Sequence, residues 1–288
     1  MKEYLDIVEK ILKFGVIKKN RTGVDAISIA GVMFEHDMEE GFPLLTTKSV
    51  PFRLVASELE FFIKGITDKK WLLDNNNHIW DEWASPDKVP YGHDAKTKDR
   101  MLEERELGPI YGWQWRNFGA NYVSYNENPE GQGVDQLSIL VKKLKEDPTS
   151  RRLIVSAWNP TDIRRMALPP CHYSFQVTVI GDKLNLMWNQ RSVDVALGLP
   201  FNIASYALLL HLLARESNMK EGRLVGFLGD THIYVNHVEA IKEQLKRQPF
   251  HLPTVSTNNF KSIFEWKYTD SIIGNYNHHP SIKFEIAV

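Results

Sequence analysis

Tyr173-Ser174-Phe175-Gln176-Val177-Thr178-Val179-Ile180-Gly181-Asp182-Lys183-Leu184-Asn185-Leu186-Met187-Trp188-Asn189 decides the fold class. Two apolar runs flank Gly181-Asp182, a two-residue turn signal, and the stretch predicts a β-hairpin of strands 173–180 and 183–189. In the second run Leu184, Leu186 and Trp188 share one face, and Asn185, Met187 and Asn189 share the other, as a period of two requires. A hairpin is marginal in water by itself and needs further strands and a covering layer. The flanking sequence supplies both. Upstream, 153–158 reads as another strand, and 134–145 as a helix that stops before Asp147-Pro148. Downstream, 197–214 is the most apolar stretch of the chain. Pro200, Asn202, Ser205 and His211 interrupt it, so it predicts a buried helix over about 203–215 with a polar edge, and no membrane span.

The rest of the chain fits the same class. Leu5, Val8, Ile11, Leu12 and Val16 fall at helical spacing over 5–16. Residues 27–34 and 44–47 read as strands, and 55–64 and 235–247 as helices. Polar excursions near 85–106 and 120–133 carry no clear period and read as surface loops. No repeat or linker divides the 288 residues. The expectation is a single α/β (α+β) domain over 1–288, with a large twisted mixed sheet covered by helices. Charged residues make up 25% of the chain and the formal net charge is -1. That balance gives no global case for nucleic acid or an anionic membrane, so any anion site must be local. The N-terminus lacks the apolar core of a signal peptide. One cysteine and no export signal point to a reducing, cytoplasmic setting.

That cysteine lies just before the hairpin, in Met166-Ala167-Leu168-Pro169-Pro170-Cys171-His172. A lone cysteine is more often a small buried thiol than a reactive one. Arg191 follows soon after, and a nearby guanidinium stabilises a thiolate. Arg21, Arg151, Arg152 and Arg191 each stand in a loop or strand end beside Ser, Thr or Asn. Each alone is best read as a surface ion pair. Together they fit a phosphate clamp, because guanidinium matches phosphate bidentately. Asn202 offers a donor and an acceptor in fixed geometry, suited to the edge of a base, or else serves as a helix N-cap. His232 and His237 are five apart, which does not stack them on one helical face, and no metal site is expected. His278-His279 reads as a solvated turn.

These residues sit within longer blocks. They are Arg21-Thr22-Gly23, Gly41-Phe42-Pro43-Leu44-Leu45-Thr46-Thr47-Lys48, Ile79-Trp80-Asp81, Leu107-Gly108-Pro109-Ile110-Tyr111-Gly112, residues 166–172, residues 190–206, Gly229-Asp230-Thr231-His232-Ile233-Tyr234 and the final Ala287-Val288. Through them nearly the whole chain resembles the thymidylate synthase family. The resemblance implies a homodimer whose sheets pack face to face. It implies Cys171 as the nucleophile that adds to C6 of dUMP. Arg191, Ser192 and Arg21 would hold the phosphate, with Arg151 and Arg152 reaching it from the partner subunit. Asn202 would read the uracil, Asp194 would adjoin it, and His232 and Tyr234 would hold the sugar hydroxyl. Glu58 would manage protons through water, with Tyr111 and His172 in the same network. The co-substrate would be 5,10-methylenetetrahydrofolate, against Ile79, Trp80, Trp83, Asp194, Gly198, Phe201 and the C-terminal Ala287, with Lys48 at its anionic tail. Without the resemblance the aromatics would pass as core and Lys48 as an ordinary exposed lysine. Glu58 stands in an apolar helix, where a carboxylate needs a partner or a raised pKa. Asn189 departs from the family's usual Tyr, and Pro51 from its bulkier or basic residue. Two rivals share much of this pattern. One is a pyrimidine hydroxymethylase, in which water captures the exocyclic methylene; its dCMP form would carry Asp in place of Asn202. The other is a non-catalytic nucleotide- or RNA-binding relative.

Overall fold

The computed structural model describes residues 1–20, 22–84, 94–127, 129 and 131–285, and it sets the hairpin inside a six-stranded sheet. In chain order the helices are α1 (Lys2–Phe14), α2 (Phe52–Ile63), α3 (Lys69–Asp74), α4 (Ala95–Glu103), α5 (Tyr111–Asn117), α6 (Gln136–Glu146), α7 (Gly198–Ser217) and α8 (Val238–Leu245). The strands are β1 (Val16–Lys18), β2 (Ala26–Asp37), β3 (Ile154–Ser156), β4 (His172–Ile180), β5 (Lys183–Asp194), β6 (Lys220–Tyr234), β7 (Thr254–Thr257) and β8 (Ser271–Gly274). The sheet runs β1-β2-β6-β5-β4-β3, and β7 pairs separately with β8. Only β5 and β6 are parallel; the other neighbours are antiparallel. The result is the mixed α/β fold expected.

The hairpin turns at Gly181, whose φ of 65° suits glycine. β5 then runs five residues past the predicted end, to Asp194. A parallel neighbour needs a long crossover, and α7 provides it. This helix starts at Gly198, ahead of the expected 203, because Pro200 is tolerated in a first turn. Every residue from 203 to 214 is buried, as an all-round apolar helix must be. Tyr206 on α7 stacks on Trp188 of β5, with ring centroids 5.3 Å apart and 8° between planes.

β6 has no counterpart in the sequence reading, because Gly222, Gly226 and Gly229 break its strand signal. Those glycines are what let the strand pack. A Cβ at Gly226 would sit 2.4 Å from the Trp188 ring. On the buried side Leu224 and Leu228 alternate with Gly222 and Gly226.

Two expectations need correction. Residues 44–47 are buried but form no strand. Leu44 N–H turns back to Phe42 O at 2.7 Å, and Thr46 bonds the distant Phe250 and His279. The first polar excursion contains a helix, α4. Its apolar period is invisible because Met101 is its one buried residue. Asp94 caps its start, accepting from Thr97 N–H at 2.7 Å. Between residues 120 and 133 the described backbone has neither helix nor strand, as read. No helix among the described residues is long and apolar enough to cross a membrane.

Candidate active site

The parallel pair ends side by side: Ser192 registers with Asp230 and Asp194 with His232. Because side chains alternate along a strand, Asp230, His232 and Tyr234 of β6 line up beside the end of β5. Ligands commonly collect at the carboxyl ends of parallel strands. A cavity of about 490 Å³ opens there. Among the described residues its wall includes Cys171, Arg191, Ser192, Asp194, His232 and Tyr234, with Trp83 and Leu168 beside them. Lys18, Lys19, Asn20 and Thr22 close another side.

Cys171 is partly exposed at this wall. Its N–H donates to the Tyr111 hydroxyl at 2.7 Å, and its carbonyl accepts from Arg191 N–H at 2.8 Å. Proline carbonyls aim the guanidinium: Nε donates to Pro170 O at 2.9 Å and Nη2 to Pro169 O at 2.8 Å. That leaves Nη2 3.9 Å from Sγ, close enough for its charge to stabilise a sulfur anion.

Asn202 lies within α7 and is not its N-cap. Trp188 Nε1 donates to Gln190 Oε1 at 3.1 Å, and Gln190 Nε2 donates to Asn202 Oδ1 at 2.9 Å. An indole only donates, so the orientation of both amides is set. Asn189, the departure noted above, donates Nδ2 to Ser174 Oγ across the hairpin at 3.1 Å.

Deeper in, Glu58 of α2 accepts from Trp80 Nε1 at 2.8 Å. Burial pushes its carboxyl up to about 7, while the Trp80 N–H pulls the other way. Tyr111 stands next to it, stacked on Phe62 at 4.9 Å and against His172 at 4.4 Å. Burial raises the Tyr111 phenol well above its ordinary pKa, helped by the charge at Cys171. Burial also drives His172 down to about 3, so its imidazole stays neutral, with Nδ1 2.8 Å from the Tyr206 hydroxyl. The cluster is therefore one ionisable carboxyl near neutrality among groups that stay uncharged.

Trp80 is buried, Ile79 and Phe201 are half-buried, and Gly198 opens α7 beside Asp194. Lys48 is not the exposed lysine expected. It is 6% exposed, its ammonium donates to Ala196 O, and it lies 4.6 Å from the Phe284 ring centre. Burial lowers its pKa to about 8, opposed by the Asp194 carboxylate. Arg151 and Arg152 are exposed and are not among the described residues lining the cavity. Arg21 and Ala287 lie outside the described residues.

Sequence reasoning missed Gln190 as the amide bridge, and it missed Asp230, which pairs with Lys18 and lies 3.4 Å from His232 Nδ1. Alternation through 230, 232 and 234 would have found Asp230 had β6 been legible. Among the described residues no three His, Cys, Asp or Glu side chains gather as a metal site.

The sequence profile described as Thymidylate synthase matches residues 2–288. The bifunctional dihydrofolate reductase-thymidylate synthase of Paramecium tetraurelia is 46% identical over 286 residues, which cover 99% of this chain and 61% of that protein. The thymidylate synthases of Listeria monocytogenes serotype 4a and Listeria innocua serovar 6a are each 43% identical over 322 residues, covering 100% of both chains.

Proposed function

The chain belongs to the thymidylate synthase family, and from that premise we propose that it converts dUMP and 5,10-methylenetetrahydrofolate to dTMP and dihydrofolate through a covalent adduct on Cys171. The observation that carries this reading is the Cys171 sulfur 3.9 Å from the Arg191 guanidinium, in a cavity wall shared with Ser192, His232 and Tyr234. The phosphate rests on Arg191, Ser192 and Arg21, and the sugar hydroxyl on His232 and Tyr234. Cys171 Sγ adds to C6 of the uracil, and the electron pair moves through C5 to O4. Asn202 Nδ2 donates to that oxygen, while Oδ1 accepts from N3–H. C5 is thereby made a nucleophile.

The residues present fit a flat ring system with hydrogen-bonding edges: Trp83 lines the cavity, and Trp80 stands edge-on to Tyr111 with its N–H on Glu58. Ile79, Gly198, Phe201, Asp194 and Ala287 are the other folate contacts in this proposal. The bound folate supplies a one-carbon unit and the hydride that reduces it. Glu58, near neutrality, holds or releases a proton through water, and Tyr111 and His172 form the path by which the C5 proton leaves. Lys48 meets an anionic tail only by leaving the Ala196 carbonyl. A cytoplasmic setting fits a lone thiol that must stay reduced to act.

Incubating the protein with dUMP and methylenetetrahydrofolate and identifying both products tests the reading. dTMP with dihydrofolate is expected. Hydroxymethyl-dUMP with tetrahydrofolate would overturn it in favour of water capture.

The working unit in this proposal is a homodimer packed through the outer sheet face. There Met33 pairs directly with Phe227 across β2 and β6, and they are 57% and 47% exposed, an apolar area that a second copy would cover. Arg151 and Arg152 then reach the phosphate of the other copy. Mixing Cys171→Ala with Arg151→Ala protein is expected to restore part of the activity each lacks. No recovery after verified subunit exchange would sink the assignment in trans.

A further inference from the structure

Lys69 is fully buried, yet it belongs to none of the groups assigned above. Its ammonium donates to Met101 O at 2.6 Å and Leu102 O at 2.9 Å, the carbonyls at the C-terminal end of α4. A helix C-terminus carries partial negative charge and favours a cation. The same ammonium lies 3.8 Å from Asp81 Oδ1. That oxygen is buried and, among the described residues, has no hydrogen-bond partner, so Lys69 is what balances it. Asp81 Oδ2 is held by His78 Nδ1 at 2.8 Å. The carboxylate therefore grips the chain on both sides of Trp80. The main chain of Lys69 is fixed too, its N–H donating to Arg105 O at 2.9 Å.

A lysine that merely filled this space would be better replaced by an apolar side chain of similar volume. Its three donors instead join two elements: α4, within the first polar excursion, and the turn Asp81–Trp83, which follows directly on Trp80. We propose that Lys69 is a positioning residue, clamping α4 to Asp81 and thereby holding the Trp80 indole against Glu58. The role of Glu58 rests on the reading given under Proposed function; the clamp itself does not.

Glu58 is faced by Trp80 and by Tyr111 of α5, with His172 of β4 behind Tyr111; Lys69 is faced by Asp81 and Glu104. The test is an infrared titration of the Glu58 carboxyl, its band assigned by its loss in Glu58→Gln, in wild type and in Lys69→Met. Loss of the indole N–H should raise the Glu58 midpoint by about one unit. Turnover should fall about ten- to a hundredfold, with KM for dUMP within about twofold. A lower melting temperature with an unmoved midpoint would reduce Lys69 to a prop and overturn the proposal. If Lys69→Met does not fold, Asp81→Asn keeps the lysine–carbonyl contacts and carries the same readout. A shifted midpoint in a protein whose wild type makes no dTMP would refute the function and leave the clamp standing.

Discussion

Cys171→Ala is expected to lower turnover of dUMP by at least about ten-thousandfold, because it removes the group proposed to activate C5 by adding at C6. Uracil C5 is a poor nucleophile until a group adds at C6, and no other cysteine exists in the chain to take over. Arg191, Ser192, His232 and Tyr234 remain in the wall, so dUMP should still bind with an affinity within a few-fold of wild type. The Arg191 guanidinium is aimed by the carbonyls of Pro169 and Pro170, so the clamp does not depend on the sulfur. Steady-state turnover and equilibrium dUMP binding check the two halves separately. Persistent turnover would remove Cys171 from the chemistry. Lost binding with lost turnover would mean that the thiol holds the site together.

Glu58→Gln should lower kcat by about a hundred- to ten-thousandfold, the usual range for a proton-transfer group. It should also change stability in a pH-dependent way. Burial raises the folded pKa of Glu58 from 4.5 to about 7. A carboxyl raised on folding favours the folded state below its unfolded pKa and loses that contribution as pH rises through the folded pKa. At pH 8 the wild type therefore keeps a poorly solvated carboxylate that Gln lacks. Glu58→Gln should be more stable there by about 1–2 kcal/mol, allowing for access to the cleft, and no more stable near pH 4. Kinetics and thermal melts at both pH values check this. Equal stability differences at both would show that the carboxyl is not strained by its surroundings.

The fold was legible where a single period governs a segment. The hairpin and the helix over 203–215 follow from alternation, turn chemistry and all-round apolarity. β6 was not legible because its packing requires glycine under Trp188, and glycine reads as a break. α4 was hidden because it buries only Met101, while a cap holds its start and a buried lysine its end. In the site, the apolar helix around Glu58 already called for a partner or a raised pKa, and both are found, but the partner itself was not legible. That partner is an indole twenty-two positions away. Lys48 was misjudged as exposed because nothing in its own segment announces that Ala196 and Phe284 enclose it.

Trp188, Gln190 and Asn202 form a line of hydrogen bonds with one polarity. Uracil and cytosine differ at this edge by exchanging a donor for an acceptor. An amide that could reverse would answer to either base. Reversal at Asn202 would set two N–H groups face to face at Gln190, and Gln190 cannot reverse in turn without opposing an indole that has no acceptor to offer. If Asn202 reads the base as proposed, discrimination between the two pyrimidines is anchored by a core side chain, Trp188. A change of base preference would have to be negotiated with the interior of the sheet as well as with the rim of the cavity.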